Sequence, residues 1–397
     1  MAKTHKILLL VENCSVPADG RVWPEALALH AHGYQVSIIS PKGEINQRES
    51  YLCLDGIHIY RYTIPLFKQK YISHILEYSI ALIMTFLLSV KVLLRHGFDV
   101  IHTANPPDIF FLVGLFYRLL GKKFVFDQHD LSPELFQVIF QRRAQWMYRL
   151  MRLFEKGSYK AADLVIVTNE SQKKLALERG RCHPDQVFVV RNGPKMELWQ
   201  AAQAPVQRQT NSPFLLGYVG LMGPQDGVEY TLYALAELVH TRGRRDVSLL
   251  LLGAGSSYAG LQSLTRKLQL DEYVTFTGMV PLTEVVQQLA TIDIGLIPDP
   301  QNGVNEFSTM IKTMEYMAAG KPIVAFDLAE TRFTASEAAL YASSNLAEEL
   351  ADKIEILLTD SELRTRMGEF GRCRVANELS WEQNSKKLLS AYETLFH

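Results

Sequence analysis

Residues 196–213, MELWQAAQAPVQRQTNSP, divide this sequence into two halves that share one pattern of elements. The stretch is polar, rich in glutamine and alanine, and contains two prolines, so it predicts a linker. On either side of it, short apolar runs bounded by turn residues alternate with segments long enough for helices. Near-continuous apolar strands separated by helices are typical of a parallel sheet covered on both faces. The sequence therefore predicts two doubly wound, Rossmann-like α/β domains.

The predicted strands set the limits of the two domains. They are residues 6–11, 35–39, 57–62, 100–102, 123–126, 164–168 and 186–190 before the linker, and residues 214–219, 247–252, 273–276, 292–297 and 322–326 after it. Residues 345–397 are predicted to be almost entirely helical. The first domain is thus expected at residues 1–195 and the second at residues 214–379. Doubly wound sheets bind ligands at the carboxyl ends of their strands, so we expect the domains to face each other across a ligand cleft.

Composition and charge exclude several classes of function. The 397 residues contain 41 Lys and Arg against 42 Asp and Glu, so no overall positive field favours nucleic acid. The four cysteines are widely spaced and form no C-x-x-C pair, which argues against a zinc ribbon or a disulfide scaffold and favours a reducing compartment. The apolar run at residues 7–11 is too short for a signal peptide. We therefore expect a cytoplasmic protein.

Residues 75–94, ILEYSIALIMTFLLSVKVLL, are apolar almost all round but are interrupted by Glu77 and Lys91. The uncharged stretch between those residues is shorter than the roughly 20 residues that a membrane span needs. We expect a helix buried against the first sheet. A basic and aromatic run at residues 141–160, QRRAQWMYRLMRLFEKGSYK, keeps open a peripheral contact with the cytoplasmic face of a membrane.

Residues 305–322, NEFSTMIKTMEYMAAGKP, form the most specific motif of the sequence. A polar loop opens a helix in which Lys312 and Glu315 lie on one face; the helix ends at Gly320, and Pro322 starts the next strand. The amide groups of a helix N-terminus and a lysine one turn in suit a diphosphate, and a glutamate further along suits ribose hydroxyls. The alternative is an ordinary strand–helix junction with a Lys–Glu pair on its surface.

This motif and several others resemble the retaining glycosyltransferases of family 4, which have the GT-B fold, and the resemblance covers nearly the whole chain. Residues 315–322, EYMAAGKP, resemble the family's E-A-M-A-x-G-K-P block, whose glutamate binds the nucleotide ribose. The other matching segments are residues 190–193 (VRNG), 216–220 (LGYVG), 252–255 (LGAG), 274–278 (VTFTG) and 380–381 (SW). The last of these begins a family helix that crosses back to the first domain, so residues 380–397 are expected to do the same.

The resemblance implies a set of residues that bind a nucleotide-sugar donor. Glu315 is expected to accept hydrogen bonds from the ribose hydroxyls. The other donor-binding candidates are Arg191, Asn192, Gly220, Gly253, Gly278, Ser308, Thr309, Met310 and Ile311.

The sequence departs from the family where the leaving diphosphate is usually neutralised. Leu221 and Asp226 stand where the family has an arginine and a lysine. Lys312 is therefore the candidate for that catalytic role, and Arg191 is the second candidate.

A second departure concerns the glutamate that the family has eight positions before its ribose-binding glutamate, with seven residues between the two. That position falls on Phe307 here, and Glu306, one residue earlier, is the catalytic candidate in its place. The S-T-M-x-K-x-x-E-Y-M-A block resembles a sub-branch of family 4 found among enzymes of bacterial surface polysaccharides.

Two loops that follow strands in the first half carry further candidates. Residues 126–130 (FDQHD) resemble the family segment whose histidine touches the donor sugar and its acceptor, which makes His129 a catalytic candidate. Asp130 adjoins it and is assigned to the acceptor side. Residues 105–108 (NPPD) also follow a strand, and their prolines favour a turn.

The loop after the first strand, residues 13–25 (NCSVPADGRVWPE), is a second candidate for the acceptor side. Gly20 suits a tight turn, and Asp19, Arg21 and Glu25 have side chains that can hold acceptor hydroxyls. Capping of the following helix by Asp19, with Arg21 and Glu25 in solvent, is the alternative interpretation.

The sequence as a whole predicts a retaining glycosyltransferase that moves a sugar from a nucleotide-sugar, first of all a UDP-sugar, to a glycan or lipid-linked acceptor in cell-surface polysaccharide synthesis. The chain contains no D-x-D triplet, so we expect neither a metal-bridged diphosphate nor any other cofactor. Preorganised hydrogen-bond donors would then stabilise the leaving diphosphate. Two alternatives stay open: a sugar-nucleotide epimerase on the same scaffold, and a non-catalytic GT-B subunit of a polysaccharide assembly complex.

Overall fold

The structure is a computed structural model, and it describes residues 4–43, 48–64, 72–140, 145–201 and 212–396. The chain forms two compact units, one made of Met1–Arg191 with Ser385–His397 and the other made of Asn192–Asn384. Each unit is a mainly parallel sheet flanked by helices, so the predicted fold class of two Rossmann-like α/β domains is confirmed.

The elements follow one another along the chain in the alternating order that the sequence predicts. The strands are β1 (Lys6–Leu10), β2 (Gln35–Pro41), β3 (Tyr51–Leu54), β4 (Ile57–Tyr62), β5 (Val100–Ala104), β6 (Lys123–Gln128), β7 (Leu164–Val167), β8 (Val187–Val189), β9 (Phe214–Val219), β10 (Val247–Leu252), β11 (Val274–Gly278), β12 (Ile294–Ile297), β13 (Ile323–Phe326) and β14 (Ala339–Ala342). The α-helices are α1 (Val22–Ala31), α2 (Ile72–Arg95), α3 (Phe111–Arg118), α4 (Ser132–Phe140), α5 (Gln145–Ala161), α6 (Glu170–Glu178), α7 (Met196–Ala201), α8 (Glu229–Ala236), α9 (Tyr258–Lys267), α10 (Leu282–Thr291), α11 (Ile311–Ala318), α12 (Ala329–Ala335), α13 (Ala347–Thr359), α14 (Ser361–Arg374) and α15 (Trp381–Phe396).

The two sheets have closely related strand orders. The first is eight-stranded, in the order β3-β4-β2-β1-β5-β6-β7-β8, and its edge strand β3 runs antiparallel to β4. The second is six-stranded, in the order β11-β10-β9-β12-β13-β14, with parallel neighbours throughout. All residues of β10 (VSLLLL) are buried, because helices cover both faces of a parallel sheet. The carboxyl ends of neighbouring strands therefore meet at one edge of each sheet, and the candidate residues lie there.

Two strands at sheet edges are absent from the sequence prediction. The strand β3 alternates exposed and half-buried residues, and β14 is only four residues long. Both strands are shorter than the six-residue runs that predict β4, β9 and β10, three strands whose bounds are as predicted.

The predicted linker contains a short helix. Its first residues form α7, whose Trp199 is buried in an apolar cluster of the second unit with Leu215 and Val286. The two apolar side chains Met196 and Trp199 supply this packing, which is why the polar composition of the stretch as a whole did not predict it. Residues 202–211, the rest of the predicted linker, lie outside the described residues.

Two of the predicted motif segments, residues 190–193 and 380–381, meet at the start of the second unit. The amide of Trp381 donates a hydrogen bond to the carbonyl of Pro194 at 3.0 Å. A Cβ on Gly193 would overlap the carbonyl oxygen of Leu379. The glycine of the first segment is therefore required by the close approach of the second.

The helix α2 is less buried than the sequence predicts. Its inner face packs on the first sheet through Ala81, Thr85, Ser89 and Val92, which are buried. Only 22% of the window Leu76–Arg95 is buried, however, and this is a helix of the described residues that is long and apolar enough to cross a membrane. The helix packs against the first sheet as expected, but it is buried on one side only, because the sheet covers only that side.

Replacing Gly193 tests the close approach of the two segments. We expect Gly193→Ala to lower the free energy of unfolding by more than about 2 kcal/mol, since the added methyl group meets main-chain atoms that cannot rotate away. Urea unfolding followed by circular dichroism measures the change.

The control is Gly260→Ala in α9, where a Cβ would meet nothing within 4 Å. Because alanine is the better helix former, this variant should gain about 0.5–1 kcal/mol. Equal stability of the two variants would contradict the predicted clash.

Candidate functional site

Three candidate glycines lie together at the carboxyl edge of the second sheet. Gly220 follows β9, Gly253 follows β10 and Gly278 ends β11, and the amide of Gly253 donates to the carbonyl of Gly278 at 3.0 Å. Their φ angles are 140°, 128° and 69°, a region that favours glycine. A Cβ on Gly253 would overlap the carbonyl oxygen of Gly220, so these turns pack main chain against main chain. A ligand at this edge would meet backbone groups.

The ammonium of Lys312 is paired with a buried aspartate. Lys312 is the second residue of α11, and its Nζ lies 2.8 and 3.0 Å from the two carboxylate oxygens of Asp299, which follows β12. The same Nζ lies 4.7 Å from the centre of the Tyr218 ring. Burial alone would lower the pKa of Lys312, but Asp299 raises it above its usual value. The charge that the sequence assigns to a diphosphate is therefore compensated within the unit.

The two positions where the family has an arginine and a lysine supply no positive charge in place of Lys312. Leu221 is exposed, and the carboxylate of Asp226 accepts a hydrogen bond from the amide of Gly223 at 2.8 Å. Burial raises the pKa of Asp226, and Lys312 opposes that increase. The loop after β9 is thus held by its own aspartate.

Glu315 lies one turn beyond Lys312 on α11 and is half-buried. Burial raises the pKa of its carboxyl group to about 7, although Lys312 opposes the increase. Within the described part of the chain, its carboxylate forms no hydrogen bond. Glu315 is therefore an acceptor at the sheet edge whose charge titrates near neutral pH.

The segment before α11 carries the remaining donor-side candidates. Asn305–Phe307 form a short 3₁₀ turn, and the buried amide of Asn305 donates to main-chain carbonyls of two neighbouring loops at 2.9 and 3.0 Å. The Ser308 hydroxyl donates to the carbonyl of Val304 at 2.9 Å, which fixes the bend before the helix. Ile311 is the exposed first residue of α11. The other predicted residues of this segment, Glu306, Thr309 and Met310, are half-buried.

The first unit contains a buried cluster of charged side chains around Asp127, near the end of β6. Arg21 donates to both oxygens of Asp127, with Nε 3.1 Å from Oδ2 and Nη2 2.7 Å from Oδ1. The Nε2 atom of His129 lies 2.5 Å from Oδ2 of the same carboxylate. Glu25 lies 3.2 Å from the Arg21 Nε. Arg21 and Glu25 are buried, so neither expected position, at acceptor hydroxyls or in solvent, is correct.

The pKa values of the two carboxyl groups in this cluster are shifted in opposite directions. Burial alone would raise the pKa of Asp127, but Arg21 and His129 hold it well below its usual range. Burial and the neighbouring Asp127 raise the pKa of Glu25 well above its usual range, despite the opposing effect of Arg21. Asp127 is therefore held in its ionised form, whereas the surroundings of Glu25 favour its protonated form.

The cluster also contains two residues that the sequence did not predict. His102, inside β5, has its Nε2 3.4 Å from Oδ2 of Asp127 and its Nδ1 2.7 Å from the hydroxyl of Tyr392 on α15. Among the described residues, Glu25, His102 and Asp127 have potential ligand atoms that all lie within 4.8 Å of one another. That spacing is close enough for the three side chains to hold one metal ion. The Arg21 guanidinium already lies on these carboxyl groups, so its positive charge opposes a metal ion there.

Asn105 holds the loop that carries His129 and Asp130. Its side-chain oxygen accepts hydrogen bonds from the amides of His129 at 2.6 Å and Asp130 at 3.1 Å, and its Nδ2 donates to the carbonyl of Asp130 at 2.8 Å. Nδ2 also donates to the carboxylate of the buried Asp108 at 2.8 Å. The segment predicted only as a turn therefore positions the candidate histidine.

The remaining acceptor-side candidates lie in the loop before α1 and beside His129. Asp19 accepts hydrogen bonds from the amides of Arg21 at 2.9 Å and Val22 at 2.5 Å, so it caps the start of α1, as the alternative interpretation held. Gly20 is exposed, has no positive φ and would leave a Cβ free of contacts within 4 Å, so the loop does not require glycine there. Asp130 is exposed beside His129.

The two candidates at the boundary of the units are Arg191 and Asn192. Arg191 is the buried last residue of the first unit's main segment, and Asn192 begins the second unit. The carbonyl of the preceding residue, Val190, accepts a hydrogen bond from Arg21 at 2.9 Å.

The structure thus brings the candidates together within each unit, and it adds residues that the sequence analysis missed. Asp299 lies two residues after the end of β12, and applying the strand-end rule to every strand would have found it. The same rule identified residues 105–108, but their prolines led to the interpretation as a turn, so the positioning role of Asn105 was missed. His102 lies inside a strand and gives no comparable signal.

Comparisons with known proteins agree with this architecture. The family model described as Glycosyltransferase Family 4 matches residues 24–197, and the model described as Glycosyl transferases group 1 matches residues 213–360. The D-inositol 3-phosphate glycosyltransferase of Corynebacterium aurimucosum is 26% identical over 254 residues, which are 61% of this chain and 59% of that protein. The chain therefore spans less than two thirds of the length of this relative.

Solved structures resemble the whole chain. The sucrose-phosphate synthase of Thermosynechococcus elongatus has a TM-score of 0.80 at 20% identity and covers 99% of both chains. The Anabaena protein Alr3699/HepE, solved in complex with UDP-glucose, has a TM-score of 0.71 at 16% identity over 98% of this chain and 99% of that chain. These likenesses show that the fold is GT-B.

Two isosteric substitutions test the protonation states of the buried cluster. We expect Asp127→Asn to lower the free energy of unfolding by about 3–5 kcal/mol at neutral pH, since it leaves the Arg21 charge buried without its partner. Glu25→Gln should change it by less than about 1 kcal/mol, because burial and Asp127 favour the neutral form of the native carboxyl group. Urea unfolding at pH 7 compares the two.

The dependence on pH provides the control. A raised pKa in the folded state means that the wild type loses stability as the pH rises from the unfolded pKa of Glu25, about 4.5, towards the folded value. Glu25→Gln should lack that component. A large loss of stability at pH 7 in Glu25→Gln would contradict a protonated Glu25.

Proposed function

Because this chain belongs to the family 4 type of glycosyltransferase, we propose that it transfers a sugar from a UDP-sugar to a glycan or lipid-linked acceptor of a cell-surface polysaccharide, with retention of configuration. The observation that carries the proposal is the carboxyl edge of the second sheet. There, Glu315 presents an acceptor without a hydrogen-bond partner among the described residues, in a unit whose strand ends are glycine turns.

The assignment of a nucleotide donor rests on the chemistry of that edge. The carboxylate of Glu315 suits ribose hydroxyls, and the turns at Gly220 and Gly253 let a diphosphate approach the main chain without side chains in the way. UDP is the preferred nucleotide because the similar Alr3699/HepE structure holds UDP-glucose.

The leaving diphosphate would be stabilised mainly by backbone dipoles. Lys312 is neutralised by Asp299, so the pair contributes less than a free ammonium would. The first turn of α11 adds the partial positive charge of a helix N-terminus. We propose that the reaction needs no metal ion or other cofactor and that a diphosphate oxygen takes the proton of the acceptor hydroxyl, which spares the enzyme a strong base.

His129 is the proposed contact of the first unit with the reacting sugar. Its Nε2 is held by the ionised Asp127, and its backbone amide is held by Asn105. A histidine fixed at both points can hold a sugar hydroxyl in one orientation, which favours the transition state by positioning.

A donor screen tests the proposed activity. The purified chain is incubated with UDP-, GDP- and dTDP-sugars, with and without a pool of glycan and lipid-linked acceptors, and products are identified by mass spectrometry. We expect release of free UDP and a glycosylated product only with acceptor present, and NMR of that product should show the anomeric configuration of the donor.

Three results would overturn the proposal in different ways. Conversion of the UDP-sugar without acceptor would favour the epimerase alternative. An inverted product would remove the retaining mechanism. Binding of no nucleotide-sugar in a thermal-shift screen would favour a non-catalytic subunit, the alternative that the neutralised Lys312 keeps open.

The pKa of Glu315 predicts how nucleotide affinity depends on pH. Only the ionised carboxylate accepts two ribose hydroxyls, and its pKa is raised to about 7. UDP should therefore bind about tenfold more tightly at pH 8 than at pH 6 through this group alone, with a proton released on binding. Isothermal titration calorimetry at the two pH values measures both effects.

Glu315→Gln removes this component and leaves only the titration of UDP itself. The matched control is Glu348→Gln at an exposed position of α13, and this variant should keep the wild-type dependence of UDP affinity on pH. An unchanged pH dependence in Glu315→Gln would remove Glu315 from the binding site.

His129 is expected to affect turnover rather than donor affinity. His129→Ala should reduce kcat by about 100-fold, which is the scale of losing one preorganised contact in the transition state. UDP affinity should stay within about twofold of the wild-type value. His183→Ala, an exposed histidine of the same unit, is the control. Equal loss of UDP affinity and turnover would assign His129 to nucleotide binding instead.

A further inference from the structure

The outer face of α2 is a largely apolar stripe, in which Ser79 and Lys91 are the exposed polar residues between its ends. Leu76, Ile83, Leu87 and Leu94 are exposed, and they recur at intervals of seven and four residues, so they lie along one side of the helix. At 1.5 Å per residue the stripe is about 27 Å long. The opposite side of the helix packs on the first sheet, so α2 is fixed in the unit by one face only.

The next helix repeats this arrangement in a stricter form. The exposed large apolar residues of α3 and the turn after it are Leu112, Leu115, Phe116, Leu119 and Leu120. These positions follow the i, i+3, i+4, i+7, i+8 spacing of an amphipathic helix, but here the apolar side faces solvent. Leu119 is 86% exposed.

The outer face of α5 combines apolar and basic side chains. Trp146 and Leu153 are 60% and 62% exposed, and Arg149, Lys156 and Lys160 are exposed on the same side of the helix. Glu155 is the acidic residue of this helix, and it is buried in an ion pair with Arg179. The predicted basic run is thus a helix face of one sign; its first residues, 141–144, lie outside the described residues.

The three helices are neighbours. The rings of Phe86 on α2 and Phe116 on α3 have centroids 5.0 Å apart and meet edge to face. The rings of Phe111 on α3 and Phe154 on α5 have centroids 6.3 Å apart. The exposed residues of α2, α3 and α5 therefore form one apolar surface with a basic border, here called the apolar–basic face.

The charges of this face favour an anionic partner. Across residues 78–95, 111–123 and 145–161, every exposed charged side chain is a lysine or an arginine. Two copies of the chain brought together by this face would place cations against cations. A bilayer with anionic lipids offers hydrocarbon for the leucines and phosphates for the cations, and a tryptophan beside lysines suits the boundary between those layers.

We propose that the apolar–basic face docks the first unit on the surface of an anionic phospholipid bilayer. The helices α2 and α3 insert their exposed leucines among the acyl chains, and the lysines and arginines of α5 bind lipid phosphates. The chain lies on the bilayer and does not span it, because the buried face of α2 remains part of the core of the first unit. The proposal goes beyond glycosyl transfer and does not depend on it.

Co-sedimentation of the whole chain with lipid vesicles tests the proposal. We expect binding to vesicles of phosphatidylcholine with phosphatidylglycerol, and binding at least about tenfold weaker to phosphatidylcholine alone, since each cation near an anionic surface contributes. The variant Leu87→Asp/Leu119→Asp should lose binding to both vesicles. The variant Arg149→Glu/Lys156→Glu should lose the preference for phosphatidylglycerol.

Matched controls in the second unit separate a local effect from a general one. Leu282→Asp/Ile356→Asp replaces two exposed apolar residues, and Arg266→Glu/Lys267→Glu replaces two exposed cations. Both variants should bind vesicles like the wild type. Because all substituted side chains are exposed, melting temperatures should stay close to that of the wild type, and circular dichroism verifies this for each variant.

Three results would overturn the proposal. They are no binding of the wild type to anionic vesicles, equal binding of the wild type and the α2/α3 variant, and loss of binding in the second-unit controls. Dimers that disappear in the α2/α3 variant, without vesicle binding, would assign the face to self-association. Vesicle binding needs no donor or acceptor, so its failure leaves the proposed transferase activity untouched.

Discussion

The carboxylate of Asp127 is the point at which the loops of the first unit are held together. A buried carboxylate is costly unless it is compensated, and two hydrogen-bonding partners reach it from separate parts of the chain. Arg21 comes from the start of α1 and His129 from the loop after β6. Arg21 also donates to the carbonyl of Val190 after β8, so one ion pair connects three points of the sheet edge. The position of the candidate histidine therefore depends on electrostatics more than on apolar packing.

In the second unit, hydrogen bonds to the main chain position the elements at the edge of the sheet. Tyr316 fixes α11 to the sheet, because its hydroxyl accepts from the amide of Val219 at 3.0 Å and lies 3.2 Å from the carbonyl oxygen of Gly217. This contact sets the height of the helix above the strand ends, where Gly220 and Gly253 pack without side chains. Lys312 and Asp299 lie beneath as a neutral pair. A charged ligand at this edge would be met by dipoles already oriented, which lose little on binding.

The sequence predicted what depends on local pattern and missed what depends on distant pairing. Apolar runs gave the bounds of β4, β9 and β10, and the glycines at strand ends lie together as the resemblance implied. The burial of Arg21 was missed, because its partner Asp127 is 106 positions away and no local spacing reveals the pair. The ion pair of Lys312 was missed in the same way, because only the folded sheet brings Asp299 under α11. The apolar composition of α2 predicted burial, since composition alone cannot tell a core from an uncovered face.

The exposed faces of helices within this one chain differ in a way that stability does not require. The helix α14 exposes Glu362, Arg366, Glu369 and Arg372, a polar surface of mixed sign that is typical of a helix in water. The helix α3 exposes leucines and a phenylalanine at the same helical spacing. Polar side chains would hold α3 on the sheet equally well, because its inner residues Val113 and Tyr117 make the packing contacts. The apolar outer face therefore adds nothing to the core, and its free energy of burial is available for binding a partner.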